Sequence, residues 1–227
     1  PLSMSNSRYK TGQDCAESAK TSAGGKMVRI AFFGTPDFSV TSLEKVVAAG
    51  HNVVTTITKP DRPSGRGHKL KWSPLKSASL ALGIPVLQPD HLNDPFFLER
   101  LASCRVDLGV VVAYGMFLSE TILGAPHLGT INVHPSLLPK YRGAAPVHRA
   151  IINGEQDTGV TVIRLIQRMD AGPILSQSFR AIANDETSEM VENDLAILGA
   201  DLLVDTIGDI SAGRIKEKPQ DESLATF

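Results

Sequence analysis

The sequence predicts an α/β domain with an open, mostly parallel twisted sheet and helices on both faces. Three observations predict it. Short apolar runs alternate with segments of helical period along the chain. The runs "VRIAFFG" and "DLGVVVAYG" are continuously apolar, as expected of parallel strands covered on both faces. The 227 residues, 42% hydrophobic and 21% charged, are enough for one sizeable core.

The elements follow in order from Met27. "VRIAFFG" is the first strand. Asp37 is positioned to cap a helix whose apolar face includes Val40, Leu43 and Val47, and Gly50 stops that helix. "NVVTTIT", rich in β-branched residues, is the second strand. A basic loop follows, in which Pro60, Pro63 and Pro74 are expected to prevent regular pairing. A helix is expected near Pro74 to Leu82, then a short strand "PVLQ", then a helix after Asp94 with Phe97, Leu98 and Leu101 inward. "DLGVVVAYG" and "TINVH" are strands, and Pro146 to Ile152 a helix. "GVTVIRLI" and "PILSQSFRAI" are strands, and Thr187 to Ile210 reads as a long helix. Ligands of such sheets sit beyond the carboxyl ends of the strands, which selects Gly34, Tyr114, Gly115, Asn132 and His134.

Residues 1–26 differ from the rest. They are rich in Ser, Gly and Lys and lack the apolar region of a secretory signal, so they read as a leader or an appended segment. No apolar run approaches the roughly 20 residues of a membrane span. A cytoplasmic or organellar-matrix location and a monomeric state are expected. Net charge is −1, so nucleic-acid binding would have to use a local patch. Two distant cysteines, Cys15 and Cys104, do not make a zinc site, and no metal is expected. The first turn, "FFGTPDFS", has one glycine where a dinucleotide fingerprint needs three, and Asp37 would repel a pyrophosphate.

The stretch "GTINVHPSLLPKYRGAAPVHRAI" carries the chemistry. Strand alternation puts Asn132 and His134 on one face. A buried pair satisfied by backbone is one reading. A reactive pair is the other, favoured by the prolines that stiffen the strand exit and by Asp170 in "QRMDAGPIL". Ser136 is not in a nucleophile elbow, so a covalent acyl-enzyme has little support. Asn, His and Asp without a nucleophile suit direct acyl transfer. The amide donates to an oxyanion, the imidazole stabilises it or protonates the leaving group, and the carboxylate orients the imidazole.

"NVHPSLLPKYRGAAP" resembles the signature of folate-dependent formyltransferases: Asn132, His134, Ser136 to Pro139, Gly143, Pro146 and the downstream Asp170. "VVAYGMFLSE" and "GVTVIRLIQRMDAGPIL" resemble the same family, and the likeness runs from Met27 to the C-terminus. The resemblance implies a Rossmann-like formyltransferase fold over residues 27–227. It implies catalytic roles for Asn132, His134 and Asp170. It also implies 10-formyltetrahydrofolate as donor, its pterin near Tyr114, Gly115 and the turn Ser136, Leu137, Leu138 and Pro139.

The loop 59-KPDRPSGRGHKLKWSPLK-76 bears six basic residues and one acidic residue. It resembles the basic insertion of the family branch that formylates methionyl initiator tRNA. That implies tRNA as partner, with Arg62, Arg66, Lys69 and Lys71 as contacts and Trp72 either stacked on a base or tucked into the core. The branch also carries a C-terminal barrel-like tRNA-binding domain, expected to be absent from this chain. The rival expectations are the same transfer to an amino-sugar nucleotide or a purine-precursor ribonucleotide, and a catalytically silent nucleic-acid-binding module.

Overall fold

A computed structural model of the chain describes residues 27–64 and 69–227. Its elements, in chain order, are β1 (Arg29–Gly34), α1 (Asp37–Ala48), β2 (Asn52–Ile57), β3 (Arg62–Ser64), β4 (Lys69–Lys71), α2 (Pro74–Ala81), β5 (Val86–Leu87) and α3 (Pro95–Ser103). Then come β6 (Leu108–Val112), α4 (Glu120–Gly124), β7 (Thr130–His134), α5 (Pro146–Ile152), β8 (Asp157–Arg164), β9 (Ile174–Ala181), α6 (Ser188–Ser211) and a 3₁₀ turn, Glu222–Leu224.

Seven strands form one sheet in the order β5-β2-β1-β6-β7-β8-β9. The first five run parallel, and β8 turns back antiparallel to β7, with β9 antiparallel to β8. This is the mostly parallel α/β sheet expected. One core lies between the sheet and α1 and α6, built on Ile30, Phe32, Val110, Val133, Leu43, Leu195 and Leu203. A second lies on the opposite face, where Phe33, Ile57 and Val111 meet Phe97 and Leu101 of α3 and Ile122 of α4. Both faces are therefore covered, which explains the unbroken apolar strands. Gly199 lets α6 approach the sheet: a Cβ there would stand 3.1 Å from Val133 and 3.2 Å from Val160.

Several local expectations change. Asp37 does not cap α1; Pro36 is the N-cap and Asp37 opens the first turn. The buried face of α1 is Ser39, Ser42, Leu43 and Val46, with Val47 only partly covered. β1 ends close against this helix at a glycine: a Cβ on Gly34 would meet the Ser39 Cβ at 2.6 Å. The prolines of the basic loop do not prevent pairing. β3 and β4 form a two-stranded antiparallel ribbon, with Pro63 opposite Leu70. Proline is tolerated there because both strands are edges and a missing ladder donor costs little. The short α4 and the 3₁₀ turn carry too little apolar period to be read from sequence.

Candidate active site

The carboxyl ends of β1, β6 and β7 open into a cavity of about 990 Å³. Ligand pockets run to roughly 300–1,000 Å³, so this one admits a ligand of folate size. Its wall includes Pro36 and Phe38 after β1, Ala113 to Leu118 after β6, Asn132 and His134 of β7, Gly143 to Pro146, and Leu165, Ile166, Met169 and Asp170 after β8. Glu192, Asn193 and Ile197 of α6 close another side.

His134 is buried and its Nε2 lies 2.8 Å from the Tyr141 carbonyl oxygen. A carbonyl can only accept, so Nε2 carries the proton and donates it to that bond. The other nitrogen, Nδ1, stands 3.7 Å from Asp170 Oδ2. That is ion-pair range but too long for a hydrogen bond. Asp170 Oδ2 accepts instead from the Gly143 N–H at 2.8 Å. The Tyr141 carbonyl orients the ring, and Asp170 supplies a negative charge facing its free nitrogen.

The turns that hold these groups are conformationally unusual. Tyr141, Ala145 and Asp170 have φ of 59°, 56° and 47°, all in the left-handed region. Non-glycine residues there cost about 1–3 kcal/mol each and persist where the surroundings over-determine them, often at functional sites. Tyr141 is held at its other end too, because its hydroxyl donates to Glu155 Oε1 at 2.7 Å. That bond holds the Glu155 carboxyl below its ordinary range. Gly172, two residues past Asp170, packs against the backbone of β8: a Cβ would sit 1.7 Å from the Arg164 carbonyl oxygen. Gly172→Ala is expected to cost about 3 kcal/mol by overpacking. The drop in Tm should be roughly 6–12 °C for a chain of this size, read by thermal melting.

Asn132 is half-buried on the same strand face as His134 and lines the cavity between β6 and β8. Tyr114 and Gly115 also line it. Tyr114 is almost wholly buried, edge-on to Phe33 at 5.6 Å, and its hydroxyl has no hydrogen-bond partner among the described residues. Burial pushes its phenol well above the usual range, so it stays neutral.

The turn Ser136 to Pro139, expected beside the pterin, follows the cavity-lining Pro135. Ser136, Leu137, Leu138 and Pro139 are not among the cavity lining. Ser136 donates its hydroxyl to the Lys140 carbonyl, and the Leu138 N–H bonds to Thr161 Oγ1. Leu138 packs with Ile163 and Ile174 in a small separate core. Leu137 lies against β8 at Gly159. The Pro139 carbonyl accepts from the Thr226 N–H. These bonds and contacts fix the shape of the turn. The cavity is also walled by Met116, Phe117, Ile166 and Met169, which the sequence reading did not name singly. Their signal was available: apolar residues in loops just past strand ends, where solvent-facing loops are normally polar.

The Formyl transferase family matches residues 28–207 of this sequence. The chain belongs to that family. Among its relatives, the methionyl-tRNA formyltransferase of Moorella thermoacetica is 50% identical over 200 residues, covering 88% of this chain and 64% of the relative. That of Staphylococcus aureus is 45% identical over 201 residues, again covering 88% and 64%. The chain thus spans a little under two thirds of the length of these relatives. Solved structures share the fold at lower identity. Glycinamide ribonucleotide transformylase 1 from Symbiobacterium toebii superposes with a TM-score of 0.72 at 22% identity, covering 86% of this chain and 95% of that one. A sugar 3N-formyl transferase, solved in the presence of dTDP and 5-N-formyl-THF, gives 0.64 at 21%, covering 89% and 69%.

The ribbon residues are not part of the cavity lining. Arg62 and Lys71 are exposed and face each other across the pairing of β3 and β4. Lys69 is paired with Ser64 in the same ribbon, and Arg66 lies outside the described residues. The ribbon's base is pinned. Lys76 bonds Asp61, and Gln88 donates to Asp61 and to the Lys59 carbonyl. Trp72 is 53% exposed with the Lys76 ammonium 4.9 Å from its ring centre, so it is not core. Among the described residues there is no metal-binding cluster of His, Cys, Asp and Glu, and no helix long and apolar enough to cross a membrane.

Proposed function

We propose that this chain transfers the formyl group of 10-formyltetrahydrofolate to the amino group of methionyl initiator tRNA, in the cytoplasm or an organellar matrix. One observation carries the chemistry: His134 Nδ1 faces Asp170 at 3.7 Å on the wall of a cavity that Asn132 shares. In this reading Asn132 donates its amide to the oxygen that gains charge as the acceptor nitrogen attacks the formyl carbon. His134 holds its ring against the Tyr141 carbonyl and presents Nδ1 to the reacting centre. Asp170 faces the Nδ1 side of the ring, and a proton lost by the amine reaches the departing folate nitrogen through these groups or water. The apolar wall of Tyr114, Met116, Phe117 and Ile166 suits a flat pterin and excludes water from it.

Two observations support tRNA as the acceptor. The relatives at 45–50% identity are methionyl-tRNA formyltransferases. The charge distribution agrees with this. The cavity lining contains Asp37, Asp170 and Glu192 and neither lysine nor arginine. A small phosphorylated amine held wholly inside would meet carboxylates. An aminoacyl end would bring its amine in and leave its phosphates outside, near the ribbon. The test is to incubate the chain with formyl-folate and, separately, charged initiator tRNA, a purine-precursor ribonucleotide and an amino-sugar nucleotide, scoring N-formylation. Formylation of either small acceptor in preference to tRNA would overturn this reading.

The ribbon makes its own prediction. Arg62→Ala with Lys71→Ala is expected to raise KM for tRNA while folate binding stays unchanged. The slope of log affinity against log salt should flatten by about 1.4–1.8 if each side chain neutralises one phosphate. Parallel slopes for variant and parent would remove these two residues from the contact.

A further inference from the structure

Arg142 sits between the two backbone groups that set the triad. Tyr141 before it supplies the carbonyl bonded to His134, and Gly143 after it supplies the N–H bonded to Asp170. Its own side chain points away from the cavity and is 0% exposed. A buried guanidinium requires partners. It finds them in the segment after α6, beyond the stretch matched by the family. Arg142 Nε and Nη2 donate to Gln220 Oε1 at 3.1 and 2.8 Å, and Nη1 and Nη2 donate to the two Glu222 oxygens at 3.1 and 3.0 Å. Those bonds hold the Glu222 carboxyl below its ordinary range.

Gln220 is fully committed. Its Nε2 donates to the carbonyls of Asp170 and Gly172, each at 2.7 Å. A guanidinium only donates and a carbonyl only accepts, so the amide has one workable orientation. It therefore joins the loop of Asp170 to the turn of Tyr141 and Gly143. The same segment holds that turn through its backbone. The Tyr141 N–H donates to Thr226 Oγ1 at 2.8 Å and the Arg142 N–H to the Thr226 carbonyl at 2.8 Å, while Lys218 pairs with Ile174 of β9.

We infer that residues 218–226 form a strap whose Gln220 is a positioning residue, setting the separation between Asp170 and His134 by tying their two loops to Arg142. The inference rests on the proposed formyl transfer for its consequence, not for its geometry. A displacement of about 1 Å in such a pair can cost on the order of 100-fold in rate. Each loop alone carries left-handed residues, and among the described residues the Gly143–Asp170 bond joins them directly.

The test uses the full chain and two readouts. Gln220→Met removes both halves of the clamp. Gln220→Glu keeps the acceptor for Arg142 but turns a carboxylate toward two carbonyls. Both are expected to lower kcat by roughly 10- to 100-fold, with KM for formyl-folate and acceptor nearly unchanged. The second readout is the ¹⁵N NMR signal of the His134 ring in the free protein, which reports its hydrogen bond and the nearby charge without any turnover. It should move in both variants. Thr226→Val, at an exposed position, removes only the acceptor of the Tyr141 N–H and guards against variants that fail to fold; it should move the same signal while Tm holds. Unmoved His134 signals in the folded variants would overturn the strap, whatever kcat does. Moved signals in a chain that formylates none of the acceptors would leave the strap standing and remove the proposed activity.

Discussion

Asp170→Asn should lower kcat by roughly 10²–10⁴-fold, the range of a lost acid–base partner, while the fold and Tm stay as they were. The substitution is nearly isosteric. A carboxamide oxygen still accepts the Gly143 N–H that now bonds Asp170 Oδ2 at 2.8 Å, so the loop keeps its anchor. The charge facing His134 Nδ1 at 3.7 Å disappears. Without it, the ring has no counter-charge when it shares the proton that moves during the reaction, and its support of the oxyanion weakens. Steady-state kinetics at saturating folate and acceptor, with a thermal melt alongside, check the claim. Turnover within threefold of the parent would show that the carboxylate takes no part beyond holding Gly143.

The second large effect concerns Asn132. Asn132→Ala is expected to raise the barrier by about 2.7–4 kcal/mol, which lowers kcat roughly 10²–10³-fold. Folate KM should change little, because the oxygen that this amide meets carries its charge only as attack proceeds. The side chain is half-buried on the cavity wall, so truncation leaves space that the cavity already shares with solvent. A variant with unchanged kcat and a large rise in KM would make Asn132 a binding group and move the oxyanion donor elsewhere. Together the two substitutions separate charge on the imidazole from donation to the reacting oxygen.

Much of this arrangement was legible in the amino acids. The apolar runs of β1, β6 and β7 have no polar face because both faces of the sheet are covered, and that pattern is local. Asn132 and His134 share a face because strand alternation requires it. Asp170 was singled out from its place before Ala171-Gly172 and by the family resemblance, but its distance from His134 was not legible, since 35 residues and an antiparallel strand, β8, lie between them. The turn Ser136 to Pro139 was picked out because its composition fits a rigid ligand-binding turn. Its Leu138 N–H and Pro139 carbonyl bond to Thr161 and Thr226. No local pattern reveals where a turn's hydrogen bonds go. The ribbon of β3 and β4 was hidden by Pro63, which forbids a central strand but not an edge.

The sequence by itself determined the sheet class, the strand that presents Asn132 and His134, and the basic character of the loop 59–76. Each depends on periodicity, residue type or charge within a few neighbouring positions. Only the tertiary structure decided which group orients His134, which residues wall the cavity, and that Gln220 joins the loops of Asp170 and Tyr141. Those outcomes are matters of distance between segments far apart in the chain: a carbonyl 2.8 Å from a ring nitrogen, a carboxylate at 3.7 Å, and one amide shared by a buried guanidinium and two carbonyls. A hydrogen bond is lost over a fraction of an ångström, and such distances exist only once the sheet, α6 and the final strap have packed together.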